Sequence, residues 1–271
     1  MFNSDKPLKT PLFDYYAPLS DDFRGLLSIP HSGEEVPEAF HKYLSGNMAD
    51  YREDVDFKVN ELIDIRSLQE AGVAVLVAHV HRVCVDLNRS PDLAVLCWKN
   101  NTKGIQLVTT EPTPEEVAQF LNQYHAPYYE ILKATLQDLE KRKNGLVSMI
   151  DLHSMPSAPT AYHMKQNPNQ KEWRPDFCLS DRKGKTCTPE FITYFHDSLS
   201  SKEFSCTYND PYVGGYVTEY ADKFRTNNIQ IEINRRIYMN EVTKTLIPGK
   251  VEHLRPRLTD TLIAGFKKFN S

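Results

Sequence analysis

Two histidines in this sequence each follow a short apolar run. His31 comes after Arg24–Pro30 (RGLLSIP), and His153 comes after Leu146–Leu152 within GLVSMIDLHSMP. Runs of that length, rich in Leu, Val and Ile, have the composition of buried strands. A histidine just past such a strand stands on the rim where open α/β sheets bind ligands, and its imidazole is suited to a metal ion. The plain alternative for either residue is a packed or capping side chain.

A third residue of the same kind is Glu232, an acid between Ile231 and Ile233 in the run IQIEI. A carboxylate on an apolar strand is costly to bury unless it is paired or functional. Simple strand alternation, with Gln230 and Glu232 facing water on an edge strand, is the competing account. Beside two strand-end histidines, a general base next to a metal explains it better, because water activated by a metal needs a proton acceptor. The third ligand is open on residue grounds. Glu34 stands three residues after His31, and Asp54 and Asp56 lie where a following helix should start. Two His and one carboxylate, with the fourth position left to water, make a catalytic zinc arrangement. Asn88 and Arg89, at the end of Val85–Arg89 (VDLNR), set an amide and a planar guanidinium past another strand, which suits a substrate carboxylate. Arg82 and Arg235, also near strand ends, would add positive potential.

The elements that must position these groups read as an α/β alternation. Met1–Ser20 is expected to be an irregular arm. Asp50 and Glu53 have capping-box spacing for a helix running to about Glu70, with Val55, Val59, Leu62 and Ile63 on one face. Val73–Val80 predicts a strand, and Val83–Leu87 a second one or its continuation. Thr113-Pro114-Glu115-Glu116 opens a long helix to about Lys143, which Pro127 should bend or split. Ser154–Lys185 has no periodicity and reads as a lid or binding loop. A helix from Thr188 to about Leu199, a strand Phe204–Tyr208, a helix Tyr216–Phe224, the Ile229–Ile233 strand and a final helix Val251–Lys268 complete the chain. One domain over residues 1–271 is the simplest account: a three-layer αβα fold with a mixed central sheet.

Composition narrows the function. The formal net charge of −4 over 271 residues, with no Lys/Arg stripe, argues against nucleic acid as a partner. No apolar run is long enough to span a bilayer, and the opening residues lack the apolar core of a secretory signal, so a cytoplasmic location is expected. The 5 cysteines lack C-x-x-C spacing, which points away from a thiolate zinc site. There is no G-x-S-x-G elbow, phosphate loop or dinucleotide fingerprint.

Taken together, these pieces resemble the N-formylglutamate amidohydrolase family. The matching stretches are Ile29-Pro30-His31-Ser32-Gly33 with Val36-Pro37, Asp56 with Leu62, Arg82 through VDLNRSP, Ile150–Met155, Gly214-Gly215-Tyr216, and Ile229–Glu241. The same order is distantly similar to zinc carboxypeptidases. The resemblance implies a phosphorylase/hydrolase-like α/β fold and one Zn2+. It implies His31 and His153 as ligands, Glu232 as base, and a small acidic substrate held by Asn88 and Arg89, with Tyr216 and Arg235 as further substrate-binding residues. The two likenesses differ over the third ligand: carboxypeptidases point to Glu34, the amidohydrolases to Asp56, which is preferred. Arg82 would stabilise the developing oxyanion. Tyr129 stands where the family often has His. The expected activity is hydrolysis of the amide bond of an N-acylated, carboxylate-bearing amino acid, N-formylglutamate being the family's type substrate. A zinc carboxypeptidase or cell-wall peptide amidase is the alternative enzyme, and a non-catalytic metal-containing binding protein the alternative of another class.

Overall fold

The computed structural model describes residues 6–142 and 145–270. At its centre is an eight-stranded sheet of order β1-β2-β4-β3-β5-β8-β6-β7. The strands are β1 (Leu8–Lys9), β2 (Phe13–Tyr16), β3 (Gly25–Ile29), β4 (Val73–Ala78), β5 (Val147–Met155), β6 (Phe177–Ser180), β7 (Cys206–Tyr208) and β8 (Thr226–Asn234). The inner four, β4, β3, β5 and β8, run parallel, while β2 and β6 pair antiparallel on either side, so the sheet is mixed.

The inner strands are covered on both faces, which is why β3 and β4 read as near-continuous apolar runs. On one face, Leu26, Leu76 and Met149 pack with Tyr128, Leu132 and Leu136 of the Ala126–Arg142 helix and with Val217 of the Tyr216–Ala221 helix. On the other, Leu27, Ile150 and Ile231 meet Phe191 and Phe195 of the Pro189–Ser200 helix and Leu254, Leu258 and Phe266 of the Pro248–Phe269 helix. Two cores separated by one sheet make the α/β, three-layer architecture.

Several local expectations need correction. The described part of the N-terminal arm, from Lys6, is not irregular: Phe13 and Tyr15 are buried, and β2 pairs with β4, adding a strand to an edge that would otherwise be open, while residues 1–5 lie outside the described residues. The box at Asp50 belongs to the previous turn. Asn47 caps the short Met48–Tyr51 helix with Asp50 at its third position. The chain then leaves helical geometry through Asp56 and resumes only with a 3-10 turn, Val59–Leu62, and the Ile65–Glu70 helix, which Asp64 caps. The apolar residues stay buried without a continuous helix beneath them. Val83–Leu87 is turns rather than a strand, with a single bridge at Val85. The Thr113 helix opens with the expected box, but a π turn at Leu121–His125 divides it before Ala126–Arg142. Pro127 lacks an N–H to return to the preceding turn, and the widened turn absorbs that loss. The expected end at Lys143 lies outside the described residues. The segment after β5 carries a short helix, Ala161–Gln166, and β6.

Candidate active site

Alternation along two adjacent strands builds one polar row. In β8, Ile229, Ile231 and Ile233 enter one core, which sends Gln230 and Glu232 to the opposite face. In β5, Ile150 and Leu152 do the same, so Asp151 and His153 share the face of Gln230 and Glu232. The parallel register sets His153 directly beside Glu232. The expected alternation therefore holds, yet β8 is internal, flanked by β5 and β6, and the polar face opens into a cleft rather than bulk water. β5 also continues past its expected end, so His153 is within the strand.

His31, on the loop after β3, comes to the same place. Its ring lies 4.8 Å from that of His153, centroid to centroid. Asp56 completes the group: one ligand atom from each of His31, Asp56 and His153 lies within 4.8 Å of the others, and all three residues are buried. Asp56 reaches it because the chain is not helical there. Its N–H donates to the His31 carbonyl at 3.0 Å, and Arg235 donates to the carbonyls of Glu53 and Val55 just before it, both at 2.8 Å. Ser154 Oγ donates to Asp56 Oδ1 at 3.0 Å.

Each imidazole is oriented by a carboxylate behind it. His31 Nε2 lies 2.7 Å from Asp86 Oδ1, and His153 Nε2 lies 2.7 Å from Asp151 Oδ2. Both Nδ1 atoms are thereby turned toward Asp56 Oδ2, at 3.6 Å from His31 and 2.9 Å from His153. Carboxylate–imidazole pairs of this kind fix the tautomer and raise the basicity of a metal-binding histidine. Asp86 and Asp151 are in turn held. Arg82 and the Trp98 indole donate to Asp86 Oδ2 at 2.7 and 2.8 Å, and Ser28 donates to Asp151 Oδ1 at 2.8 Å.

The electrostatics fit a cation. Burial alone would raise the Asp56 carboxyl, but hydrogen bonds and charge from His153 and His31 hold it below its usual range. Burial would likewise lower His153, yet Asp151, then Asp56, raise it well above the ordinary imidazole value. A proton on Nδ1 there occupies a position that a metal ion would take in exchange. His31 Nδ1, Arg82 Nε and Glu232 Oε2 are buried without a hydrogen-bond partner, and their residues line one cleft of about 370 Å³. Orphaned buried polar atoms converging on a cavity mark a site built for a ligand.

Glu232 stands in a defined frame. Gln230 donates to Glu232 Oε1 at 2.7 Å, while the Gln230 carbonyl oxygen accepts from Gly215 N–H at 2.9 Å and Asn88 Nδ2 at 3.2 Å. The amide is thus fixed with its NH2 toward Glu232, and Oε2 is left free. Burial, opposed in part by His153 and reinforced by Asp56, pushes the Glu232 carboxyl up to about 8. Gly215 is required here, since a Cβ would meet the Asn88 side chain at 2.3 Å.

The remaining expected residues fall in different places. Arg82 lines the cleft with its guanidinium against Asp86 and over the Trp98 ring. Arg235 borders the cleft but spends its donors on Glu53, Val55 and Ser154. Asn88 and Arg89 also line the cleft: Asn88 accepts from Val217 N–H at 2.9 Å through its side-chain oxygen, and Arg89 is half exposed, 3.9 Å from Asp86. Glu34 is outside the three-residue group and paired with Arg52. The Tyr216 ring packs among His125, Tyr129 and Tyr220 and is not in the cleft wall among the described residues. Sequence reasoning did not single out Asp86, Asp151 or Gln230. Their signal was present: Asp151 and Gln230 lie two residues from His153 and Glu232, the spacing that shares a strand face.

Comparison with known proteins agrees with this picture. A family model of N-formylglutamate amidohydrolase matches residues 23–239. Among solved structures, the chain is similar to N-formylglutamate amidohydrolase from Ralstonia eutropha JMP134, with 25% identity, a TM-score of 0.82 and coverage of 96% of this chain and 99% of that one. It shares its fold with a gene product from Agrobacterium tumefaciens, at 14% identity, a TM-score of 0.70 and 96% of both chains. No curated protein matches the sequence. With the match extending over most of the chain and the polar row inside it, this protein belongs to the N-formylglutamate amidohydrolase family and is a hydrolase of amide C–N bonds.

Proposed function

We propose that the enzyme is a zinc-dependent hydrolase of N-acylated, carboxylate-bearing amino acids, with N-formylglutamate, cleaved to formate and glutamate, as the leading substrate. The observation that carries this reading is the convergence of His31, Asp56 and His153 beside a carboxylate whose second oxygen has no partner. His31 Nδ1, His153 Nδ1 and an Asp56 oxygen would hold the ion, a donor set that suits zinc with one position open. A bound ion supplies Lewis acidity, polarising an acyl carbonyl and making water easier to deprotonate.

The chain's own residues do the rest. Glu232, which a neighbouring cation would hold ionised against the effect of burial, accepts the proton of the attacking water at Oε2 and returns it to the departing nitrogen, while Gln230 holds Oε1. Arg82 keeps an N–H, at Nε, free toward the charge that develops on the acyl oxygen. Asp86 and Asp151 keep both imidazoles turned inward.

The test is formate release from N-formylglutamate by purified protein before chelation, after chelation, and after zinc is added back. The reading expects activity, loss and recovery. A metal-free sample with full turnover would exclude the metal assignment, and no formate from the zinc-loaded protein would exclude the substrate.

A further inference from the structure

The cleft is also lined by Tyr212 and by the segment containing His163 and Gln170. Behind it lies Arg174, only 3% exposed. This guanidinium donates to the Pro156 carbonyl at 3.3 Å, the Tyr212 hydroxyl at 3.1 Å and Gln170 Oε1 at 2.9 Å, and its Nε has no partner. Among the described residues, it has neutral acceptors only and no carboxylate in ion-pair range. A buried cation without a counter-charge is expensive, and the cost is relieved when an anion arrives.

The hydrogen-bond directions show where the anion would dock. Thr160 N–H donates to His163 Nδ1 at 3.1 Å, so the neutral ring carries its proton on Nε2. Burial, with the Arg174 and Arg235 charges, lowers His163 to about 4, which keeps the ring neutral near pH 7. His163 Nε2 then donates to the Tyr212 oxygen at 3.2 Å, and Arg174 donates to the same oxygen. With two bonds accepted, the phenol has its own proton left to give, and the described residues offer it no acceptor. By contrast, Asn88 is committed to Gln230 and Val217, and half-exposed Arg89 leans on Asp86.

We propose that Tyr212, backed by Arg174 and aligned by His163, is the donor that anchors a carboxylate of the substrate. The proposal rests on the substrate class given above, and names the group that selects it. The phenol donates one charge-assisted hydrogen bond to the carboxylate, and the guanidinium behind it supplies the potential.

The test compares N-formylglutamate with its side-chain carboxamide and its α-carboxamide, in the wild type, Tyr212→Phe, Arg174→Gln and Arg89→Ala. The selectivity for acid over the carboxamide of the docked carboxylate should fall about ten- to hundredfold in Tyr212→Phe, the worth of one charge-assisted hydrogen bond, and fall also in Arg174→Gln. The loss should appear in KM rather than kcat. Tyr212→Phe removes a single oxygen and keeps the test alive if Arg174→Gln does not fold. Equal losses on all three substrates, or a selectivity loss confined to Arg89→Ala, would overturn the anchor. Calorimetric titration with L-glutamate, L-glutamine and isoglutamine separates this from the functional reading. If the wild type releases no formate, the reading fails, while weaker glutamate binding by Tyr212→Phe still supports the anchor. Undiminished glutamate binding, or none by the wild type, rejects it.

Discussion

Replacing Glu232 by Gln removes a buried carboxyl and leaves its shape. In the metal-free protein, burial pushes this group up to about 8 from an ordinary value of 4.5. The folded state therefore binds its proton more tightly than the unfolded chain does. Its contribution is fully present below pH 4.5 and is lost as pH rises through about 8. At 1.36 kcal/mol per pH unit, that interval corresponds to about 5 kcal/mol, an upper bound because the carboxyl shares its environment with His153 and Asp56. The assay is urea unfolding of chelated wild type and Glu232→Gln from pH 5 to 8. The wild type should lose stability with rising pH by several kcal/mol more than the variant. His153, raised in the fold, loses stability in the same direction above its ordinary value, so it is the difference between the two proteins that isolates Glu232. Zinc-loaded, the variant should keep its metal and lose about 10²- to 10⁴-fold in kcat. Parallel stability profiles, or an unchanged kcat, would refute the placement of a protonatable acid beside the cluster.

Asp56→Ala and His153→Ala should each abolish stoichiometric zinc by elemental analysis, whereas Glu34→Ala, which only releases Arg52, should retain it. Asp86→Asn and Asp151→Asn should each weaken zinc affinity by about 10- to 100-fold in competition with a chromogenic chelator, since each changes the group that orients an imidazole. Gly215→Ala places a methyl 2.3 Å from Asn88 and should cost about 1–3 kcal/mol in denaturant unfolding, with kcat falling as Gln230 is displaced.

The strands β3 and β4 were legible because they are apolar on both faces, and the two histidines stood out as polar residues directly after apolar runs. Asp56 was harder to choose over Glu34, because the choice depends on a loop. The sequence suggested a helix through that point, whereas the short helix capped by Asn47 stops at Tyr51 and regular helix resumes only after Asp64, leaving Asp56 in a loop that reaches the cluster. Asp86 was hidden for a similar reason: read as part of a strand, it had no reason to turn inward, but the turns after His81 deliver it to His31. Tyr129, noted for standing where a histidine is common, donates to the Leu87 carbonyl at 2.6 Å and supports that turn. Arg174 and Tyr212 belong to segments without periodicity, where neither burial nor direction can be read from spacing.

Arg235 grips the backbone carbonyls of Glu53 and Val55 from the end of β8, the strand that bears Glu232. Asp56 and Glu232, the proposed ligand and base, are thus bolted to a common bracket although 176 positions divide them along the polypeptide. Anyone transplanting the Glu53–Asp56 stretch into another scaffold would have to bring this arginine along, because the stretch owes its shape to a clamp supplied from a distant part of the chain.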